Sequence, residues 1–307
     1  MDTIKNALKR LLRGLPEPVQ GLILIMRPHQ WVKNGFVFAG ILFDQQLDNV
    51  DSLLRVSAAF VLLCMTASTI YVVNDLVDIE RDRAHPLKRN RPLPSGQLPV
   101  SWARIAAIIL PTVALVLSIP LGIEFVAVQL VYLALHIAYS FYLKNIVLID
   151  VFAVAAGYVL RVVAGVAVID VTNFSPWLYV CAGLLTLFLA IGKRRQELIL
   201  LSDGAADVRA TYKQYNLALL DEMLRLVTTG AVITYMLYTI EAETRRTAGY
   251  QMLFTIPIVL YGVFRYLYLV HVRGVGGAPD ELIFEDMPLL AAIMLWVFTA
   301  FLILYVF

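Results

Sequence analysis

Residues 53–73, LLRVSAAFVLLCMTASTIYVV, carry a single charged side chain, and the charged run NDLVDIERDRAHPLKRNRPLPSG follows at once over residues 74–96. The hydrocarbon core of a bilayer is spanned by about 20 mostly apolar residues in an α-helix. The first run therefore predicts a transmembrane helix over residues 53–74. The second predicts a functional site at the membrane boundary, because ionisable side chains are costly inside a bilayer and mark functional positions there.

The composition of the whole chain indicates the same class of protein. Its 307 residues are 60% hydrophobic and 16% charged, with a mean hydropathy of +0.76. A soluble globular domain is about 45–50% apolar and about 25% charged. Soluble, disordered, collagen-like and disulfide-rich secreted proteins are therefore excluded. The formal net charge is only +2, no nucleic-acid partner is expected, and a polytopic membrane protein remains.

Apolar runs separated by charged breaks predict an all-α polytopic membrane protein with about nine transmembrane helices. The predicted spans are 24–44, 53–74, 102–121, 125–143, 147–169, 175–192, 224–242, 251–270 and 287–306. Continuous apolar runs of this length exclude a β-barrel, whose strands alternate over about ten residues. Residues 1–20 are expected to form a cytoplasmic amphipathic segment, and residues 21–307 a single transmembrane domain.

Positive charge is distributed unevenly between the predicted loops. All lysines and arginines of the loops fall on the side of the N-terminus except Arg55, Arg245 and Arg246. The positive-inside rule then places the N-terminus and the basic loops in the cytoplasm and the C-terminus outside. Within the predicted spans, Arg161 has either a functional or a structurally paired role, and Arg265 is expected to be structural.

Four oxygen-bearing side chains begin the charged run with the spacing N-D-x-x-D-x-x-x-D. They are Asn74, Asp75, Asp78 and Asp82. At about 100° per residue, they fall within an arc of about 100° on an α-helix. Carboxylates on one face repel each other without a cation, and oxygen ligands suit Mg²⁺ bound together with substrate phosphates. We therefore predict a magnesium–diphosphate site, with a solvated acidic helix end as the alternative.

Cations and helix-breaking residues follow the acidic motif. Lys88 and Arg91 are predicted to neutralise phosphate oxygens, and the prolines and Gly96 of the segment RPLPSG break the helix into a shaped loop. His85 precedes a proline and is expected to be a loop residue rather than a metal ligand.

The acidic motif followed by RPLPSG resembles the UbiA superfamily of intramembrane prenyltransferases. That resemblance implies a ring of nine helices around a central cavity open to the cytoplasm and to lipid. It also implies the activity typical of members, which bind an isoprenyl diphosphate through Mg²⁺ and transfer the prenyl chain to an aromatic acceptor.

Further segments resemble one branch of that superfamily, the decaprenyl-phosphate phosphoribosyltransferases. They are RPHQWVKN at 27–34, YSFYLK at 139–144 with GYVLR at 157–161, GKRRQEL at 192–198, and PDE at 279–281 with DMPL at 286–289. This resemblance implies phosphoribosyl diphosphate as the donor and a polyprenyl (decaprenyl) phosphate as the acceptor. The implied product is a polyprenylphosphoryl 5-phosphoribose, a precursor for cell-envelope arabinan.

The chain departs from typical superfamily members between the sixth and seventh predicted helices. Typical members carry a second aspartate-rich motif there, whereas this chain has the cations Lys193, Arg194 and Arg195 at the end of the sixth helix. Cations at this place suit a substrate with a second phosphate. Asp203 and Asp207 form D-x-x-x-D in the same loop, and either a second metal site or a turn before a helix cap would explain them.

The fifth predicted helix places Asp150 and Arg161 eleven residues apart, which is close to three turns, so they share a face over ~16 Å. Gly157 lies on nearly the same face, which fits either a slot for substrate or close helix packing. Asp150 lies at the cytoplasmic end and is predicted to be functional.

These residues give a predicted mechanism. The predicted catalytic residues are Asp75, Asp78, Asp82 and Asp150, and the first three hold Mg²⁺ together with Asn74. The residues predicted to bind substrate are Lys33, Asn34, Lys88, Arg91, Tyr139, Lys144, Lys193 and Arg194. The metal and the cations stabilise the departing pyrophosphate. A lipid phosphate is already anionic near neutral pH, so its attack on carbon 1 of the ribose needs no general base.

Two other functions remain as alternatives. One is an aromatic prenyltransferase with a prenyl diphosphate donor, and the other is a lipid-binding or transport protein without catalysis. The expected location is the bacterial cell (inner) membrane, with the active site facing the cytoplasm. A homo-oligomer is left open, because the composition of lipid-facing helices does not reveal an interface.

Overall fold

A computed structural model of the chain describes residues 10, 12, 14–84, 88–171, 175–200, 214–244, 249–274, 282–283 and 285–306. Within these residues every regular element is a helix, which confirms the all-α class. The α-helices are α1 Glu17–Ile25, α2 Ala39–Phe43, α3 Val50–Val77, α4 Ile79–Ala84, α5 Val100–Ser118, α6 Ile123–Phe141, α7 Ile149–Val166, α8 Pro176–Leu200, α9 Leu217–Thr244, α10 Ile256–His271 and α11 Met287–Tyr305. Eight helices in the described part of the chain are long and apolar enough to cross a membrane, so this is a multi-span membrane protein.

The chain divides into two compact units. Unit 1 comprises Met1–Ala39, Asn49–Ser140 and Arg161–Asp170, and unit 2 comprises Gly40–Asp48, Phe141–Leu160 and Val171–Phe307. The single transmembrane domain over residues 21–307 stays a prediction. The predicted N-terminal segment 1–20 falls largely outside the described residues, which begin continuously at residue 14.

The first predicted span, 24–44, is not one continuous α-helix. After α1 the backbone of Arg27 adopts the left-handed conformation (φ 53°, ψ 59°), and a 3₁₀ segment follows over Pro28–Phe38 before α2. Proline disfavours the helical conformation of the residue before it, so the dipeptide Arg27-Pro28 ends α1. Apolar composition alone does not reveal this interruption, and the total number of spans and their orientation stay predictions.

Unit 1 is built around α3. The side chain of Asn49 accepts hydrogen bonds from the backbone N–H groups of Asp51 and Ser52, which caps the helix where it begins. A buried cluster joins α1, α3, α5 and the loop between α4 and α5. Its members are Ile25, Val72, Leu93, Leu98 and Ala103. This cluster fixes the loop that follows the acidic motif against the end of α3.

Unit 2 has its core between α7, α8, α9, α10 and α11. Its buried members include Val151, Phe188, Ile191, Tyr215, Leu220, Leu224, Tyr266 and Leu289. Helices α8 and α9 pack along each other and extend beyond the predicted spans 175–192 and 224–242. As a result, Lys193–Arg195 lie inside α8, about two turns before its end at Leu200, rather than at its exit as the sequence predicted.

Candidate active site

The acidic motif lies where α3 passes into α4. Helix α3 ends at Val77, Asp78 is its C-cap with φ −91° and ψ 7°, and α4 resumes at Ile79. The N–H of Asp78 still donates to the carbonyl of Asn74 (3.0 Å), and the N–H of Asp82 donates to that of Asp78 (2.8 Å). The helical repeat therefore continues through the break, and Asp75 and Asp82, two turns apart, stay on one face.

Asp75 and Asp82 are held together by one guanidinium. The Nη1 atom of Arg91 lies 2.7 Å from Oδ2 of Asp82 and 3.3 Å from Oδ1 of Asp75. Oδ1 of Asp75 also accepts a hydrogen bond from Nη2 of Arg27 (2.6 Å), and Nζ of Lys88 lies 3.8 Å from Oδ1 of Asp82. The two aspartates are only 2% and 1% exposed, so their charges require these cations.

The loop after the motif explains why Arg91 reaches both carboxylates. Leu93 and Leu98 are buried in the core of unit 1, and the N–H of Leu98 donates to the carbonyl of Pro92 (2.9 Å). Gly96 between them has φ 82°, a conformation that glycine adopts without strain. Two apolar anchors and a glycine turn thus hold the start of the loop, and with it Arg91, over the end of α3.

Arg27 belongs to this site although the sequence analysis did not include it among the site residues. Its guanidinium carbon lies 4.9 Å from the ring centroid of Tyr71, a cation–π contact, and its Nη2 bonds Asp75. The backbone of Arg27 is in the left-handed region, which is uncommon for a non-glycine residue. The arginine before a proline at the end of α1 was the available signal in the sequence.

The oxygen atoms of the acidic motif are ligands of the kind that would suit Mg²⁺. Carboxylate oxygens at a helix end are hard ligands of the kind that Mg²⁺ prefers, and a cationic atom between Asp75 and Asp82 is what the two buried charges need. Among the described residues, no three His, Cys, Asp or Glu side chains are grouped closely enough to hold a metal. Asp78 is half-buried and takes no part in the ion pairs above. The donor set fits the ion, and Arg91 and Arg27 supply the positive charge in this arrangement.

A second group of buried charges lies in unit 2. Asp150, in the first turn of α7, is fully buried, and its Oδ2 lies 2.7 Å from Nε of Arg194 on α8 at an angle outside hydrogen-bond geometry. Arg194 also pairs with Glu197 (2.5 Å). Asp150 and Arg194 therefore neutralise each other in this arrangement, and their roles in catalysis and substrate binding stay predictions.

Tyr215, which the sequence analysis did not select, completes this group. Its hydroxyl donates to Oδ1 of Asp150 (2.6 Å) and accepts from the backbone N–H of Leu148 (2.8 Å). Burial, and after it the hydrogen bond to Asp150, raises the pKa of the Tyr215 hydroxyl above its ordinary value. The phenol therefore stays protonated at neutral pH and can donate to the carboxylate.

Two lysines of unit 2 differ from Arg194. Lys144 is half-buried in the 3₁₀ turn Leu143–Asn145, and Lys193 is exposed on α8. Neither forms an ion pair with a carboxylate in the part of the chain that the structure describes. Among the described residues, these lysines thus differ from Arg194, whose charge is taken up by two carboxylates.

The remaining predicted residues of unit 1 lie on other elements. Lys33 is half-buried in the segment Pro28–Phe38, and Tyr139 is half-buried on α6. Asn34 is buried, donates to Sγ of Cys64 (3.2 Å) and accepts from Nε of Arg161 (2.8 Å). The structure thus gives Asn34 two protein partners and brings it next to Arg161.

Arg161 and Arg265, which the sequence places well within predicted spans, both have protein partners. Arg161 is buried, and besides its bond to Asn34 its Nη2 donates to the hydroxyl of Tyr132 (2.6 Å). Arg265 donates to both carboxylate oxygens of Asp286, at 3.0 and 2.8 Å. The contacts of Arg265 agree with the expected structural role, and those of Arg161 favour the structurally paired alternative.

Several predicted features fall outside the described residues. They are the loop residue His85, the D-x-x-x-D pair Asp203 and Asp207, and the segment 279–281. The second metal site therefore stays a prediction.

Known proteins resemble the chain over most of its length. The model of the UbiA prenyltransferase family matches residues 35–277. Decaprenyl-phosphate phosphoribosyltransferase of Mycolicibacterium smegmatis is 33% identical over 293 residues, which covers 92% of this chain and 91% of that protein. The protein of the same name from Corynebacterium glutamicum is 34% identical over 292 residues, covering 93% and 87%.

Solved structures agree in fold. A UbiA homolog from Archaeoglobus fulgidus bound to DMAPP and Mg²⁺ has a TM-score of 0.70 at 16% identity, over 93% of this chain and 99% of that one. The same homolog bound to GPP and Mg²⁺ also scores 0.70, at 17% identity, over 93% and 100%. With the acidic motif at the end of α3 and a family match over more than three-quarters of the sequence, the chain belongs to the UbiA prenyltransferase family.

Proposed function

We propose that the chain transfers a 5-phosphoribosyl group from phosphoribosyl diphosphate to a polyprenyl phosphate, of the decaprenyl class, and releases pyrophosphate. The observation that carries the proposal is the buried pair Asp75 and Asp82 around a single cationic atom at a membrane-helix end. Relatives about 33% identical over more than nine-tenths of the chain bear the name of this activity. A role in building lipid-linked precursors of cell-envelope arabinan follows from that product.

In unit 1, Asp75, Asp78 and Asp82, with Asn74, would hold Mg²⁺ and through it the diphosphate of the donor. When bound, the ion would neutralise charge on the leaving pyrophosphate. Arg91 and Lys88 lie against the carboxylates and would turn toward phosphate oxygens once the carboxylates have another cation. Cations fixed beside the leaving group stabilise the charge that develops as the bond from carbon 1 to oxygen breaks.

In unit 2, Lys144 and Lys193 would bind a phosphate monoester, because neither has a carboxylate partner among the described residues. Lys33 and Tyr139 of unit 1 remain further candidates for orienting phosphates. A phosphate oxygen of the lipid forms the new bond to carbon 1 while the pyrophosphate oxygen keeps the electron pair of the broken bond. No proton has to be removed from the nucleophile, so no general base is needed.

The location we propose is the bacterial cytoplasmic membrane, with the reaction on the cytoplasmic side. The concentration of lysine and arginine in every second predicted loop supports this orientation. A homo-oligomer would not alter the assignments, because all the residues named above belong to one chain.

A donor assay tests the proposal. Purified protein in lipid or detergent receives Mg²⁺, labelled phosphoribosyl diphosphate and decaprenyl phosphate, and the lipid fraction is examined for label. We expect a labelled lipid from the unaltered protein and a loss of at least a hundredfold in Asp75→Asn and Asp82→Asn, since the metal would lose a ligand. Glu80→Gln, a change at an exposed carboxylate of α4, is the matched control and should keep full activity.

The same assay separates the alternatives. Turnover of a prenyl diphosphate with an aromatic acceptor, and none of phosphoribosyl diphosphate, would show an aromatic prenyltransferase instead. Binding without turnover of either donor would indicate a lipid-binding or transport protein. Full activity in Asp75→Asn would refute the metal assignment.

A further inference from the structure

We propose that Tyr215 is a positioning residue whose hydroxyl fixes the turn between α6 and α7, and thereby the place from which Lys144 reaches a substrate phosphate. The inference rests on the function proposed above, since Lys144 is assigned there to a phosphate. It concerns residues of unit 2 only and gives Asp150 a role different from the catalytic one predicted from the sequence.

The hydroxyl of Tyr215 connects two points of the chain that lie two residues apart. It accepts from the N–H of Leu148 at 2.8 Å and donates to Oδ1 of Asp150 at 2.6 Å. The phenol oxygen thus acts both as a hydrogen-bond donor and as an acceptor at the start of α7. The ring itself is buried in the core cluster of unit 2, beside Leu220 and Leu224, so the hydroxyl has a rigid support.

The backbone at Leu148 needs such a support. Its φ is 69°, in the left-handed region where a leucine is strained, and a conformation of this kind persists only when its surroundings impose it. The N–H of Leu148 would otherwise have no partner in the turn, because the intrahelical bonds of α7 begin with Asp150 donating to Ile146 (3.1 Å). Tyr215 therefore supplies the bond that holds the residue in this conformation.

Asp150 contributes the second attachment. It is fully buried, and Arg194 supplies its counter-charge at 2.7 Å. With Oδ2 beside Arg194 and Oδ1 bonded to Tyr215, both oxygens of Asp150 hold the first turn of α7 against α8 and Tyr215. The ion pair and the phenol act on the same helix start from two directions.

Lys144 depends on this arrangement. It lies in the 3₁₀ turn Leu143–Asn145, four residues before Leu148, and no carboxylate in the described part of the chain fixes its ammonium group. The backbone alone sets where its side chain begins. Loosening the turn would therefore weaken phosphate binding more than it would slow the chemical step.

The first part of the test measures, without substrate, whether the hydroxyl of Tyr215 holds the turn before α7. Amide hydrogen exchange of the peptide covering residues 143–149 is compared between Tyr215→Phe and Tyr266→Phe. Tyr266 is the matched control, because its buried hydroxyl has no hydrogen-bond partner among the described residues. Losing one buried hydrogen bond corresponds to roughly five- to tenfold faster exchange. We expect this change in Tyr215→Phe alone, and equal exchange in both variants would overturn the proposal.

The second arm measures the consequence for substrate. Tyr215→Phe should raise KM for one phosphorylated substrate about five- to tenfold with kcat changed less than twofold, and this effect should vanish in a Lys144→Met background. An equal effect with and without Lys144 would show a general structural defect and overturn the inference. If the unaltered protein transfers no phosphoribosyl group, the proposed function is wrong. The hydrogen-exchange comparison then tests by itself whether the Tyr215 hydroxyl fixes the turn.

Discussion

Removal of Arg91 should destabilise the protein in the absence of metal. Among the described residues, Arg91→Ala would leave Asp82 with Lys88, whose Nζ is 3.8 Å away, and Asp75 with Arg27. Both carboxylates are nearly fully buried. The remaining cations would offset less of the repulsion between the two charges and less of the free energy that burial from water costs them. The change therefore removes a cationic atom that contacts both aspartates.

The size of the effect follows from burial. Removing one partner of a fully buried ion pair costs about 3–5 kcal/mol, while exposed pairs contribute about 0–1 kcal/mol. The Arg91 side chain is 33% exposed and its partners are 3% and 1% exposed, which places the loss between these limits, at about 2 kcal/mol. For a chain of this size that corresponds to a decrease in Tm of about 3 °C.

Thermal unfolding in detergent with a chelator present is the measurement. Arg83→Ala is the matched control, because Arg83 pairs with Glu80 in an exposed i,i+3 contact, with side chains 48% and 78% exposed, and should shift Tm by less than 1 °C. Saturating Mg²⁺ should restore much of the loss in Arg91→Ala, since a divalent ion would replace the guanidinium. Equal melting of the two variants without metal would refute the reasoning from buried charge.

Two further changes test the fold. Gly165→Ala should greatly lower the yield of folded protein in size-exclusion chromatography, because the added Cβ would lie 1.9 Å from the carbonyl oxygen of Val37, whereas Gly35→Ala meets nothing within 4 Å and should be tolerated. Hydrogen bonds from Arg265 hold the pKa of Asp286 below its ordinary value, so the pair stabilises the protein above about pH 4 and this contribution is lost as pH falls through the depressed pKa. The difference in Tm between the unaltered protein and Asp286→Asn should therefore be constant from pH 7 to pH 5 and shrink below pH 4; a difference that shrinks already above pH 5 would contradict this.

The membrane helices could be predicted where apolar length was the deciding property. The span predicted over 53–74 lies inside α3, Val50–Val77, because about 20 apolar residues in lipid must form hydrogen bonds within their own helix. The segment predicted as a span over 24–44 is interrupted for a local reason. Arg27 before Pro28 takes a left-handed backbone conformation there. The mean hydropathy of a segment carries no information about the backbone conformation of a single residue.

The carboxylates of the candidate site could be predicted better than their counter-ions. Asp75 and Asp82 are seven residues apart, and the helical repeat alone places them on one face. Arg27 reaches Asp75 across 48 positions of sequence, which depends on where α1 ends and how it packs on α3. No spacing rule within a single sequence gives that contact.

The same limit applies to the partners of Arg194 and of the two lysines of unit 2. A buried carboxylate must have a cation beside it, and Arg194 supplies this cation to Asp150 while also pairing with Glu197. Substrate binding by Arg194 stays a prediction, and it would require these ion pairs to rearrange. Lys144 and Lys193 form no ion pair with a carboxylate among the described residues. Lys144 and Lys193 could therefore meet a phosphate without breaking an ion pair of the described residues, whereas Arg91 and Lys88 would first exchange their carboxylates for a metal ion. A structure is needed to tell these two kinds of cation apart.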